Sequence, residues 1–231
     1  MEMPRTVGDM DPSTILVAGV GGIGCAWAHR AHQKCQGSAH LVLIDADDSS
    51  FKTGEDVHVL RLGHALDSVG CAALPPLAEQ RMRGLNTLTN RLLDTTELVI
   101  LLTGLGGGVG TGAAHEFARQ ARQSGAVVLA VAALPFEQQT TRMDIALEGL
   151  NRLESTAHVT VRLSLDRLAR QAREKGQLWQ MGAEWIEDLV DGLVRTLMRM
   201  GLINLDLMDL RAIVDQTGEA TMLVGVGRPD D

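Results

Sequence analysis

The 231-residue chain is short of positive charge: 21 Lys and Arg stand against 29 Asp and Glu, a formal net charge of −8. A nucleic-acid surface needs clustered Lys and Arg, so this balance argues against such a partner. Cysteine is scarce as well. Cys25, Cys35 and Cys71 are odd in number and widely spread, which implies no disulfide framework and fits a reducing cytosol. No run reaches 18 apolar residues, and the start "MEMPRTVGDMDPST" has no apolar core of the signal type. A cytoplasmic protein without a direct membrane segment is expected. His29, His32 and Cys35 are spaced by three along a predicted helix. Steps of three drift about 60° around a helix each time, and no second ligand pair lies nearby. No metal site is predicted there.

What the chain has is apolar residues, 45% of the total, enough to bury one sizeable core. After a polar arm over 1–12, "TILVAG" reads as a buried strand (15–18) and the following stretch as a helix stopping at Gly37. Strands are predicted at 40–44, 98–102, 126–134 and 158–163, with helices over 77–93, up to Ser124, over 140–155 and from Asp166. Residues 48–76 carry turn signals and read as irregular. A 23-residue amphipathic helix is predicted over 178–200, about 35 Å long, then a break at "MGLINLD", a helix over 206–217 and a final strand, "ATMLVGV". Strands alternating with helices imply parallel pairing and a three-layer α/β sandwich. The expected organisation is the arm, an α/β domain over 13–176, and a C-terminal part over 177–231 that starts a truncated second domain.

Glycine is concentrated at two points. "GVGGIG" (19–24) follows the first strand, and "GLGGGVGTG" (104–112) packs six glycines into nine residues after the strand at 98–102. Both stand at strand-to-helix turns, on the edge where open α/β sheets bind ligands. Glycine there permits positive φ and lets backbone N–H groups approach an anion with no Cβ in the way. Each following helix adds its partly positive N-terminus. Two such turns make a cradle for a polyphosphate. "GVGGIG" with Asp45 also fits a dinucleotide fingerprint, and hence an oxidoreductase, but that reading explains neither "GGGVGTG" nor "NLDLMD". A Walker A loop is absent, because Thr111-Gly112 is followed by Ala113.

"GGGVGTG" resembles the signature of the tubulin and FtsZ superfamily, GGGTGTG or GGGTGSG, differing at Val109. "VAALPFEQQTTRM" resembles the FtsZ segment in which a strand ends at Pro-Phe before a ribose-contacting Glu and Arg. "MGLINLDLMDLRAIVDQTG" resembles the segment with the pattern NxDxxD, which completes catalysis in a neighbouring subunit. The matches keep their order from Ile15 to Gly227.

The resemblance implies a GTP- and GDP-binding protein, a GTPase that assembles head to tail with itself or another FtsZ-like chain, with Mg as the accompanying ion. Gly21, Gly22 and Gly24 of the first turn would cradle the phosphates with Gly107, Gly108, Gly110, Thr111 and Gly112 of the second. Asp47 falls in the second nucleotide loop. Arg142 falls on the Arg that approaches ribose and base, with Glu137, Gln138 or Gln139 beside it. Asp166 opens the short helix near the base, and Trp179 aligns with the residue that stacks on it. Asn204, Asp206 and Asp209 fall on the catalytic loop. Substitution of Gly108 or Gly110 by Val is expected to abolish binding, because a β-branched side chain resists positive φ and blocks the approach.

The departures point elsewhere. Ala26 stands where FtsZ has Asn. "GCAALPPLAE" replaces GAGANPEVGR, with Leu74 for Asn and Glu79 for Arg, in the loop that senses the terminal phosphate. Ala183 aligns with the base-reading residue, so guanine discrimination is expected to be reduced. These losses support an alternative, a degenerate module that binds nucleotide or none and co-assembles with a filament.

Overall fold

The computed structural model describes residues 14–35, 37–51, 57–63, 71, 73–174, 176, 184–198 and 207–214. The strands are β1 (Ile15–Val20), β2 (His40–Asp45), β3 (Val57–Arg61), β4 (Leu98–Gly104), β5 (Val127–Leu134) and β6 (Val159–Ser164). The helices are α1 (Gly21–Cys35), α2 (Pro75–Gly84), α3 (Asn86–Leu93), α4 (Gly108–Gln123), α5 (Thr140–Thr156), α6 (Leu165–Glu174), α7 (Glu184–Met198) and α8 (Leu207–Val214).

The six strands form one all-parallel sheet in the order β3-β2-β1-β4-β5-β6. The inner strands β2, β1, β4 and β5 are near-continuous apolar runs because helices bury both faces. Alternate residues serve alternate cores. Ile15, Val17, Ile100 and Leu129 pack with α1, α6 and α7, while Leu16, Ala18, Leu101 and Val128 pack with α2, α4 and α5. The α/β three-layer sandwich read from the sequence is the observed architecture.

Two predicted elements differ. Residues 48–76 are not wholly irregular: "VHVLR" forms the edge strand β3, whose Val59 is 42% exposed. One buried face out of two, on five residues between turn signals, left too short a pattern to read. The helix predicted over 77–93 is two helices, broken at Leu85, whose N–H folds back to the Met82 carbonyl at 3.0 Å. Of the helix predicted over 178–200, residues 184–198 are helical, about 22 Å long, and the rest lies outside the described residues. The final strand "ATMLVGV" lies outside the described residues.

Helix α7 lies along α1. Ile186, Leu189, Val190 and Val194, spaced as one helical stripe, are buried in the same core as Trp27, Ala28 and Ala31. Arg30 pairs with Glu187 at 2.9 Å and Lys34 pairs with Asp188. Both helices therefore run the same way, from the carboxyl edge of the sheet toward the amino edge.

Candidate nucleotide site

The strand order reverses between β1 and β4: the chain fills the sheet outward in one direction from β1 and in the other from β4. At such a switch point the crossover helices diverge and leave a crevice outside the carboxyl ends. Val20 is in register with Thr103, so both glycine turns open at this one point.

The turns touch each other. A Cβ on Gly21 would lie 3.1 Å from Gly110 N. Thr103 Oγ1 lies 3.1 Å from the Val20 carbonyl and 3.2 Å from the Gly110 carbonyl, and its single proton serves either. Gly106 is held on both sides: its N–H donates to Thr111 Oγ1 at 2.9 Å, and its carbonyl accepts from Arg142 Nε at 3.3 Å. Thr103 and Gly106 are thus structural members of the site that pattern reading missed. A Thr ending an otherwise apolar strand beside a glycine turn was the available signal.

The glycines divide by what occupies the space of a Cβ. At Gly24 it would sit 2.3 Å from the Leu102 carbonyl oxygen, at Gly110 2.0 Å from that of Gly104, and at Gly112 1.9 Å from that of Pro75. At Gly108 it would meet Cys71 O at 2.8 Å and Leu74 N at 2.9 Å. These four let α1, α4, β4 and the start of α2 close on one another. Positive φ is confined to Gly21 (+74°) and Gly106 (+89°) within the turns. Gly108 and Gly110 are ordinary helical residues, so a Val there fails by backbone collision and not by strained φ. Gly107 differs from all of these: nothing lies within 4 Å of its Cβ position. Gly22 is exposed, with only Ser50 Oγ at 3.8 Å. Gly107 and Gly22 are the two within the turns at which protein packing makes no demand.

Around the turns, Asp47 caps its own short helical turn, accepting from Ser49 N at 2.9 Å. That backbone bond, with help from the Ser49 side chain, holds its carboxyl below the usual range. Asp166 Oδ2 accepts from Glu137 N at 2.9 Å, which brings the β5–α5 loop and the β6–α6 corner together beside Arg142. Trp179, Asn204 and Asp206 lie outside the described residues. Among the described residues no group of three or more His, Cys, Asp or Glu could hold a metal ion.

Glu79, which stands in place of an Arg of the family pattern, has its carboxylate among α2, α4 and α5. There it accepts from Arg152 Nη2 at 2.6 Å and pairs with Arg83. Burial raises its pKa, but the Arg152 bond, His115 and Arg83 outweigh that and hold it below the ordinary value.

Asp209 stands at the other end of the sheet. It is exposed on α8, whose Leu210 enters the α1–α7 core and whose Arg211 donates to the Gly125 carbonyl. Gly125 precedes β5, so α8 occupies the amino edge. The eight residues of β5 separate it from the glycine turns by about 25 Å.

The description "Tubulin/FtsZ family, GTPase domain" matches residues 14–173. The chain belongs to the Tubulin/FtsZ family. It is 31% identical over 218 residues to cell division protein FtsZ 2 of Haloferax volcanii, spanning 93% of this chain and 54% of that one. It is 29% identical over 218 residues to mitochondrial division protein fszA of Dictyostelium discoideum, spanning 92% and 42%. The chain thus spans about half the length of the curated relatives it matches. Among solved structures, an empty FtsZ dimer of M. jannaschii superposes with a TM-score of 0.73 at 27% identity, covering 87% of this chain and 60% of that chain. CetZ2 from Haloferax volcanii, in a GTPgS-bound protofilament, shares the fold at a TM-score of 0.69 and 19% identity, covering 82% and 60%. In Tubulin/FtsZ terms, β1 to α6 are the GTPase domain, and α7 and α8 extend past its matched residues. No described helix is long and apolar enough to cross a membrane.

Proposed function

We propose that this chain binds a guanine nucleotide in the crevice between β1 and β4, and that GTP is hydrolysed only where a second copy, or another FtsZ-like chain, stacks on it head to tail. The observation that carries this reading is the separation of the two halves: the glycine turns open at the carboxyl edge, and α8 with Asp209 sits at the amino edge. About 25 Å of sheet keeps Asp209 from its own phosphates. A subunit stacked below would present its crevice to that edge. Such a contact is heterologous and propagates if its rotation does not close.

In this arrangement the amides of the two turns and the N-termini of α1 and α4 hold the phosphates. Gly22 and Gly107 leave the space they enter. Asn204, Asp206 and Asp209 position the attacking water from the neighbouring subunit, and Mg accompanies the triphosphate. Arg142, Glu137 and Asp166 border the ribose side, and Trp179 stacks on the base. The loss of the base-reading partner at Ala183 relaxes the preference for guanine over adenine.

A second reading, binding without turnover, has its own observation. Helix α2 begins at the second turn with Pro75 and Pro76, which have no N–H. The next two amides, of Leu77 and Ala78, are taken by the Leu74 carbonyl at 3.2 and 3.3 Å, and Leu74 N by Cys71 O at 2.7 Å. From Leu74 to Ala78 the backbone thus leaves no free donor for a terminal phosphate.

One experiment separates the two. Asp209→Ala should bind GTP normally and turn over little, while Gly107→Val should fold and not bind. Their mixture should recover part of the lost turnover, because each supplies the half the other lacks. Wild-type turnover per subunit should rise with protein concentration. Turnover that is independent of concentration overturns the shared site; undetectable turnover with intact binding leaves the binding module.

A further inference from the structure

His115 lies on α4 one turn after Thr111 and is only 5% exposed. Its Nδ1 is 3.2 Å from the Thr111 carbonyl oxygen and its Nε2 is 3.5 Å from Glu79 Oε2. Both partners are acceptors. A neutral imidazole has one donor and one acceptor nitrogen, so either tautomer turns a lone pair toward an oxygen. Nε2 is buried and makes no hydrogen bond. Only the doubly protonated ring donates to both.

Burial and Arg152 oppose that charge, while other ionic groups surround the ring. From α2 come Glu79 and Arg83, from α4 Glu116 and Arg119, and from α5 Arg152. Arg152 donates to the same Glu79 oxygen that faces the ring, and with Glu148 it lines a cavity of about 130 Å³ beside Thr111. Burial first, then Arg152, pull the His115 pKa below 6.5 against the pull of Thr111 and Glu79. The ring is therefore neutral above pH 6.5 and poised to take a proton below it.

It is also close to the second glycine turn, three residues past Gly112. The carbonyl of Thr111 faces the ring, and its hydroxyl oxygen accepts from Gly106 N at 2.9 Å, where φ is +89°. We infer that His115 is a positioning residue for this turn and that it takes up a proton when a phosphate anion binds there. The inference rests on the proposed nucleotide site. A bound anion favours the imidazolium, and by reciprocity the imidazolium favours the anion. Folding and binding then have opposite pH trends. Because the folded pKa is depressed, the empty protein loses stability as pH falls through 6.5, whereas affinity rises.

The probe is GDP, titrated calorimetrically into the full chain at about pH 8 and about pH 6, each in two buffers of different ionisation heat. Between those pH values wild type should tighten at least about threefold more than His115→Gln, with net proton uptake at the lower pH that the variant lacks. Glu79→Gln, which removes the carboxylate and keeps its shape, should reduce the uptake. Should His115→Gln fail to fold, the same quantity is read from the His115 ring resonance of wild type by NMR: its pKa should rise when GDP is added. Equal pH dependence in wild type and variant, or a ring pKa unmoved by GDP, overturns the proposal. An absence of GDP binding by wild type at both pH values instead removes the nucleotide site itself, and the proposal with it.

Discussion

Helices α1 and α4 start with glycine and α2 starts with two prolines, although all three begin around one crevice. Glycine removes a side chain and leaves the amide; proline removes the amide and keeps a ring. The first two starts are therefore bare donor surfaces, and the third is an apolar wall ending in Leu74, 55% exposed. The contrast teaches that glycine at these turns answers two separate demands. Gly24, Gly108, Gly110 and Gly112 are required by neighbouring backbone, whereas Gly22 and Gly107 are free of it.

The largest effect expected from this division is at a packing glycine. Gly112→Val would push a Cβ onto the Pro75 carbonyl oxygen and should cost about 3 kcal/mol or more of stability, read from denaturant unfolding. An unchanged midpoint would show that α2 and α4 are not so closely joined. Next comes Gly107→Val, which should leave stability within about 0.5 kcal/mol and still weaken GDP binding at least tenfold, about 1.4 kcal/mol. Equal affinity would mean that no anion enters there. Thr103→Val removes the hydroxyl shared by both turns and should cost about 1 kcal/mol. A neutral result would leave the turns held by packing alone. The smallest effect belongs to the proline start. Pro76→Ala restores one N–H, and GTP affinity should change by less than about threefold, roughly 0.65 kcal/mol. A larger gain would show that α2 reaches the terminal phosphate and lacks only a donor.

The sheet was legible because parallel strands buried on both faces are written as unbroken apolar runs, as in Leu98 to Leu102. The two glycine clusters were legible because strand–glycine–helix junctions are local in sequence. What escaped depends on distant partners. β3 is recognised only once it pairs with β2, and the orientation of Glu79 is set by Arg152, 73 residues away. The reason for each glycine escaped too, since Gly107 and Gly108 are identical in sequence and differ only in what lies beside them. His115 reads as one more polar helix residue until Thr111 O and Glu79 are seen on its two nitrogens.

The Thr103 hydroxyl joins Val20 and its own turn across 83 residues. Such a closure is made only when β4 has docked beside β1, after the intervening β2 and β3 region has been looped out, a slow and entropically unfavourable event in a parallel sheet. The crevice between the turns is therefore expected to form late on the folding route, where a nucleotide should find little to grip in the half-folded chain. Under the proposed binding, GDP added during refolding should leave the folding rate as it was and show itself only in slower unfolding, as a lock on a finished structure.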